Sequence, residues 1–80
     1  MRNKLSDWPM KTWYVYICNK QGILYTGITT NINHRMAQHK AELLYSEEHE
    51  SKIEAAKREK QIKRWARRKK IELITGKSLV

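Results

Sequence analysis

The sequence predicts an α+β domain, a small three-stranded antiparallel sheet flanked by helices in the order ββαβαα. Three observations carry that expectation. Residues 13–28 hold two short runs rich in aromatic and β-branched side chains, separated by a Gly-containing turn signal. Residues 43–45, Leu43-Leu44-Tyr45, form a further short apolar run. Between and after these runs the apolar residues recur at helical spacing. Strands and helices that each have one apolar side must bury those sides against one another, which gives a sheet with helices packed on it.

Each element has its own signal. Residues 1–11 show no periodicity and read as an N-terminal arm, with a single domain over 12–76 and a short tail over 77–80. The first strand is expected over 13–18 and the second over 23–28, joined through Asn19-Lys20-Gln21-Gly22 as a hairpin. Thr29, Thr30 and Asn31 can all cap a following helix, with Thr30 favoured. That helix runs to about residue 40, with Ile32, Met36 and Ala37 as its apolar stripe. The third strand ends in the acidic cluster Glu47, Glu48 and Glu50. A long helix starts near Ser51, where Ser51 and Glu54 have the spacing of a capping box. Ile53, Ala56, Ile62, Trp65 and Ala66 follow near-helical spacing, a break is expected around 66–68, and Gly76 is a reasonable stop for a final helix over 69–74.

Eighty residues make one small domain, and a chain of this size buries only about 60% of its unfolded surface. The single Cys18 excludes an intramolecular disulfide framework, and no Cys/His cluster marks a zinc site. No run approaches the roughly 20 apolar residues of a membrane helix, and residues 1–11 lack an apolar signal core. The expected location is cytoplasmic and nucleoid-associated. The charge is uneven: residues 1–50 hold six Lys/Arg against five Asp/Glu, whereas residues 51–80 hold eleven against three. That asymmetry points to a polyanion, DNA or another nucleic acid, ahead of a membrane surface.

Residues 14–39 concentrate the chemistry. Tyr14-Val15-Tyr16 and Tyr25-Thr26-Gly27 lie on the two hairpin strands, Arg35 follows ten residues after Tyr25, and His39 lies one turn beyond Arg35. Downstream, residues 56–65 read AKREKQIKRW, with Glu59 among lysines. Together these residues resemble the GIY-YIG nuclease superfamily, and more closely its small stand-alone bacterial members. Tyr14-Val15-Tyr16 is similar to the first tripeptide, with Tyr14 in place of its glycine, and Tyr25-Thr26-Gly27 to the second. Ile28 stands where repair-incision relatives carry a lysine. Ala41 and Glu42 alone separate the first helix from the third strand, where relatives place a longer and often basic segment.

The resemblance implies a Mg²⁺-dependent endonuclease acting on DNA, selective for structure more than for sequence, in DNA repair or recombination. It makes Tyr16, Tyr25, Arg35, His39 and Glu59 the catalytic set, with Glu59 as ligand to one Mg²⁺. The chemistry suits those residue types. Phosphodiester hydrolysis needs a positioned nucleophile and neutralised phosphoryl oxygens. A carboxylate offers Mg²⁺ a hard oxygen. Arginine presents a permanently charged fork. A phenol needs nearby cations to act as a base, since its ordinary pKa is about 10. His39 shares a helix face with Arg35 and is placed to relay a proton.

Every one of these groups also has a plainer role. A strand tyrosine usually packs, a surface arginine is usually solvated, and Glu59 has an i,i+4 partner in Lys63. His34 and His49 read as surface residues, and Trp65 as packing more than base stacking. Lys57, Arg58, Lys60, Lys63, Arg64, Arg67 and Arg68 are the expected nucleic-acid contacts. They would bind a phosphate backbone without sequence preference and with strong salt dependence. Two rival readings stay open: a catalytically weak nucleic-acid-binding module on the same fold, and a partner-dependent interaction component, including a homodimer.

Overall fold

The computed structural model describes residues 11–76. The expected arm and tail therefore fall, apart from Lys11, outside the described residues. Strand β1 (Trp13–Lys20) and strand β2 (Ile23–Thr29) form the hairpin, in register from Tyr14 opposite Thr29 to Lys20 opposite Ile23. Both strands run further than expected because the turn is only Gln21 and Gly22, with φ of 55° and 84°. Two residues at positive φ match the right-handed twist of the flanking strands. Glycine takes that conformation freely, whereas Gln21 bears a cost of about 1 kcal/mol.

Helix α1 (Ile32–His39) is capped by Asn31, not by Thr30. The Asn31 side chain accepts the His34 amide at 3.0 Å, and the buried Thr29 hydroxyl in turn accepts the Asn31 amide at 3.1 Å. Asparagine wins because its carbonyl reaches a free first-turn amide from an extended backbone. At the other end Lys40 turns left-handed at φ 52°. Its amide donates to the Ala37 carbonyl and the Ala41 amide to Met36, the paired bonds of a Schellman stop.

Strand β3 (Glu42–His49) starts two residues after α1 and is much longer than the expected 43–45. It lies on the other side of β1, so the sheet order is β2-β1-β3 and all neighbours are antiparallel. Opposite Ile17 and Cys18 stand Tyr45 and Leu43, so Leu44 is an extra residue in β3. The acidic cluster lies largely within the strand, because Glu47 finds partners under helix α2 and Glu48 is exposed.

Helix α2 (Lys52–Lys63) begins at Ser51, whose hydroxyl accepts the Glu54 amide at 3.1 Å. The chain breaks near Arg64 and resumes as helix α3 (Arg67–Thr75), which stops at Gly76 with φ 72°. The core consists of Val15, Ile17, Ala55 and Ile62, with Trp13, Ile28, Tyr45, Trp65 and Leu73 among the side chains packed around it. Strand alternation puts Trp13, Val15 and Ile17 on the face covered by α2. The buried stripe of α2 is Ala55 and Ile62, however, while Ile53 is 70% exposed. Ala55 and Ile62 lie seven residues apart, two helical turns, and so share the inward face. Among the described residues no helix is long and apolar enough to cross a membrane.

Candidate active site

The alternation that buries Val15 and Ile17 turns Tyr16, Cys18 and Lys20 to the opposite side of β1. These three residues form one wall of a cleft of about 440 Å³. Residues 25–28 of β2, Arg35 and His39 of α1, and Glu59 of α2 complete it, with Ala41 at the link to β3. Residues 25–28 border the cleft along β2, which is an edge strand. Tyr16, Tyr25, Arg35, His39 and Glu59, separated by as many as 43 positions in the chain, thus meet in one place.

Tyr16 is the buried member, only 6% exposed. Its ring lies across Gly27, directly opposite in the register. A Cβ built at Gly27 would fall 2.5 Å from the Tyr16 phenol oxygen and 2.7 Å from the ring carbon that bears it. The sequence suggests that Gly27 admits a substrate or a helix. In the structure it admits its own cross-strand neighbour. Burial pushes the Tyr16 phenol above its ordinary value, and the nearby Arg35 guanidinium opposes that shift. Tyr16 therefore holds its proton at neutral pH. Tyr25, by contrast, is 49% exposed at the mouth.

Glu59 and Arg58 are neighbours in sequence that leave α2 on opposite sides of its buried stripe. Glu59 borders the cleft with its side chain 20% exposed, and its Oε2 lies 3.1 Å from the Lys63 ammonium. The cleft role and the i,i+4 pair thus coexist on one carboxylate. Arg58 leans over β3 instead. Its Nε donates to Glu47 at 2.9 Å, its Nη1 donates to Gln61 at 2.7 Å, and its guanidinium stacks 5.2 Å from the centre of the Trp65 ring. Glu47 also accepts the Tyr45 hydroxyl at 2.6 Å and lies 2.6 Å from His49 Nε2. Burial alone would raise the Glu47 carboxyl; the hydrogen bonds from Tyr45, His49 and Arg58 outweigh it and hold it below the ordinary range.

His49 is consequently half-buried and bonded, where the sequence suggests a surface residue. The i,i+2 spacing of Tyr45, Glu47 and His49 on one strand face was the available signal for this cluster. His34 is exposed as expected. Trp65 packs on the core, with Lys69 4.4 Å from its ring centre. Among the expected nucleic-acid contacts, Lys57, Lys60, Lys63, Arg64, Arg67 and Arg68 are exposed, whereas Arg58 is engaged inside the fold. Cys18 and Lys20 enter the cleft without having been expected there; the same alternation that places Tyr16 would have found them.

One carboxylate is a sparse donor set. Among the described residues no group of three or more His, Cys, Asp or Glu is placed to hold a metal. That excludes a closed protein cage there but suits Mg²⁺, which is held by one or two carboxylates and takes its other ligands from water and phosphate. The Thr26 hydroxyl, buried beside the cleft, has no hydrogen-bond partner among the described residues, a desolvation cost of about 1–3 kcal/mol.

Comparison with known proteins gives the cleft a context. The sequence pattern of the GIY-YIG catalytic domain matches residues 10–43, which carry both tripeptides, Arg35 and His39. A UPF0213 protein of Staphylococcus haemolyticus is 39% identical over 79 residues, covering 81% of this chain and 96% of the relative. The chain belongs to the GIY-YIG family. Within this nuclease family it is similar to the UPF0213 proteins. A Staphylococcus aureus UPF0213 protein is 37% identical with the same coverage. The solution NMR structure of a Bacillus halodurans UPF0213 protein is 32% identical, covers 80% of this chain and 83% of that one, and superposes with a TM-score of 0.58. The S. haemolyticus alignment spans 79 residues yet only 81% of this chain, so the relative carries residues inside that span which this GIY-YIG protein lacks.

Proposed function

We propose that this GIY-YIG protein is a Mg²⁺-dependent endonuclease that hydrolyses DNA phosphodiesters and selects structure over sequence. The observation that carries the reading is the convergence of Tyr16, Tyr25, Arg35, His39 and Glu59 on one cleft. Glu59 would hold the metal, which when bound supplies positive charge at the phosphoryl oxygens. Arg35, a permanent cation beside Tyr16 in the same cleft, binds a non-bridging oxygen and fixes the phosphate over the phenols. The exposed phenol of Tyr25 meets the attacking water first, while Tyr16 keeps its proton and donates a hydrogen bond. His39, one turn beyond Arg35, moves the proton toward solvent. The exposed Lys57, Lys60, Lys63, Arg64, Arg67 and Arg68 supply a sequence-independent grip on the backbone. A place in DNA repair or recombination suits an enzyme of that selectivity.

The test is incubation with flapped, branched and single-stranded DNA in Mg²⁺, beside Glu59→Ala and Arg35→Ala. Cleavage by the parent that both variants lose is the expected outcome. Equal products from all three proteins would end the reading. A second reading, a nucleic-acid-binding module of weak activity, is favoured by the Lys63 ammonium already lying on the Glu59 carboxylate. It predicts binding that survives Glu59→Ala and needs no divalent metal.

A further inference from the structure

Lys20 ends β1 on the site face, two alternations past Tyr16 and one past Cys18. The register sets Cys18 opposite Tyr25 and Lys20 opposite Ile23, so Lys20 stands beyond Tyr25 at the hairpin end of the cleft that both border. Its backbone is held by the two-residue turn at Gln21 and Gly22, which fixes where the side chain starts. The same cleft is bordered by His39 and Ala41, where α1 passes to β3 through only Lys40 and Ala41. Two residues form no loop that could cover that end.

Its charge is also available. Lys63 lies on Glu59, Arg58 on Glu47, and Lys52 and Lys69 over tryptophan rings. Lys20 is exposed and has no carboxylate partner among the described residues. Four residues of strand separate it from Tyr16, about 13 Å. At that backbone separation Lys20 starts well away from the phosphate that Arg35 and Tyr16 would hold. It is a suitable distance for a neighbouring phosphate of the same strand. A compact ammonium on a flexible stem suits a backbone phosphate, which needs charge more than a planar fork.

We propose that Lys20 binds a phosphate flanking the one held over the cleft, so that the strand leaves the site across the hairpin tip. The proposal deepens the nuclease reading and rests on it for the position of the central phosphate. Its test needs no turnover. A fluorescein-labelled flapped DNA is titrated with the full chain in EDTA at several salt concentrations, for the parent, Lys20→Gln, Lys20→Arg and Lys52→Gln. Releasing one phosphate contact flattens the slope of log K against log salt by about 0.7–0.9. Lys20→Gln should show that loss, Lys20→Arg should restore the slope, and Lys52→Gln, on the other sheet face over Trp13, should keep it.

Steady-state cleavage in Mg²⁺ adds a second readout. Lys20→Gln should raise KM several-fold and leave kcat within about twofold, since uniform binding acts on KM. Circular dichroism confirms that each variant is folded. A folded Lys20→Gln with the parental slope overturns the proposal, even if cleavage proceeds and the nuclease reading stands. Salt-dependent binding without cleavage retires the nuclease reading, and a flattened slope then still supports Lys20. A parent that does not bind DNA retires both.

Discussion

The two flanks of helix α2 stand side by side and work in opposite ways. On the β3 flank, Arg58 reaches a carboxylate whose acceptors are filled by Tyr45, His49 and Arg58 itself. On the cleft flank, Glu59 has a lysine beside it and otherwise faces a cavity. One residue of helical rotation separates a closed network from an open site. A buried carboxylate that is fully hydrogen-bonded stabilises a fold and does little chemistry. A carboxylate with free lone pairs at a cleft adds little to stability and can take a cation.

Exchanging damage between the flanks is the sharpest way to break that contrast. Glu59→Ala should lower cleavage by at least about a hundredfold, the scale of losing one preorganised charge at a reacting centre, while leaving the thermal midpoint unchanged. Arg58→Ala should do the reverse, with a loss of about 1–3 kcal/mol in a urea titration and cleavage per folded molecule retained. If Arg58→Ala kills activity at full stability, the division is wrong.

Gly27→Ala comes next. Its methyl group must displace the Tyr16 phenol, so we expect a loss of about 1–3 kcal/mol from overpacking together with weaker cleavage. Shortening the obstacle in Gly27→Ala/Tyr16→Phe should recover part of the stability and none of the activity. Acid separates the flanks more gently. The folded Glu47 carboxyl is held below its unfolded value, so its contribution is complete above the ordinary carboxylate range of about 4.3 and drains away as pH falls through the folded value. Urea midpoints between pH 6 and 3 should fall, and Glu47→Gln should flatten that dependence. The smallest effect belongs to Lys63→Ala. An exposed i,i+4 pair is worth about 0.3–0.5 kcal/mol, so stability should hardly move, while Mg²⁺ titrations of activity should shift to lower concentration as Glu59 loses its resident cation.

What could be read in advance followed from periodicity. The tyrosines, Arg35 and Glu59 were legible because strand alternation and helical spacing, with a known motif order, fix their place. The Asn31 cap was not, since three adjacent residues had the chemistry and only the extended backbone at Asn31 decided among them. The length of β3 was hidden for a different reason. Glutamates disfavour a strand until a half-buried partner such as Arg58 appears, and that partner comes from another element. Ile53 misled because hydrophobicity marked it as inward while the geometry of Ala55 and Ile62 rotated it out.

The two-residue turn at Gln21 and Gly22 has a consequence in time. The pairing of Tyr16 with Gly27 closes a short loop, and hairpins of this kind form in about 1–10 μs. Glu59 is brought in only after β3 and α2 have crossed the sheet, a far longer closure. Closing the Tyr16–Gly27 contact thus costs less chain entropy than bringing Glu59 to the same cleft. Until β3 and α2 pack on it, the hairpin can bring Tyr16, Tyr25 and Gly27 together only in a marginally stable form, and Glu59 joins them when α2 docks.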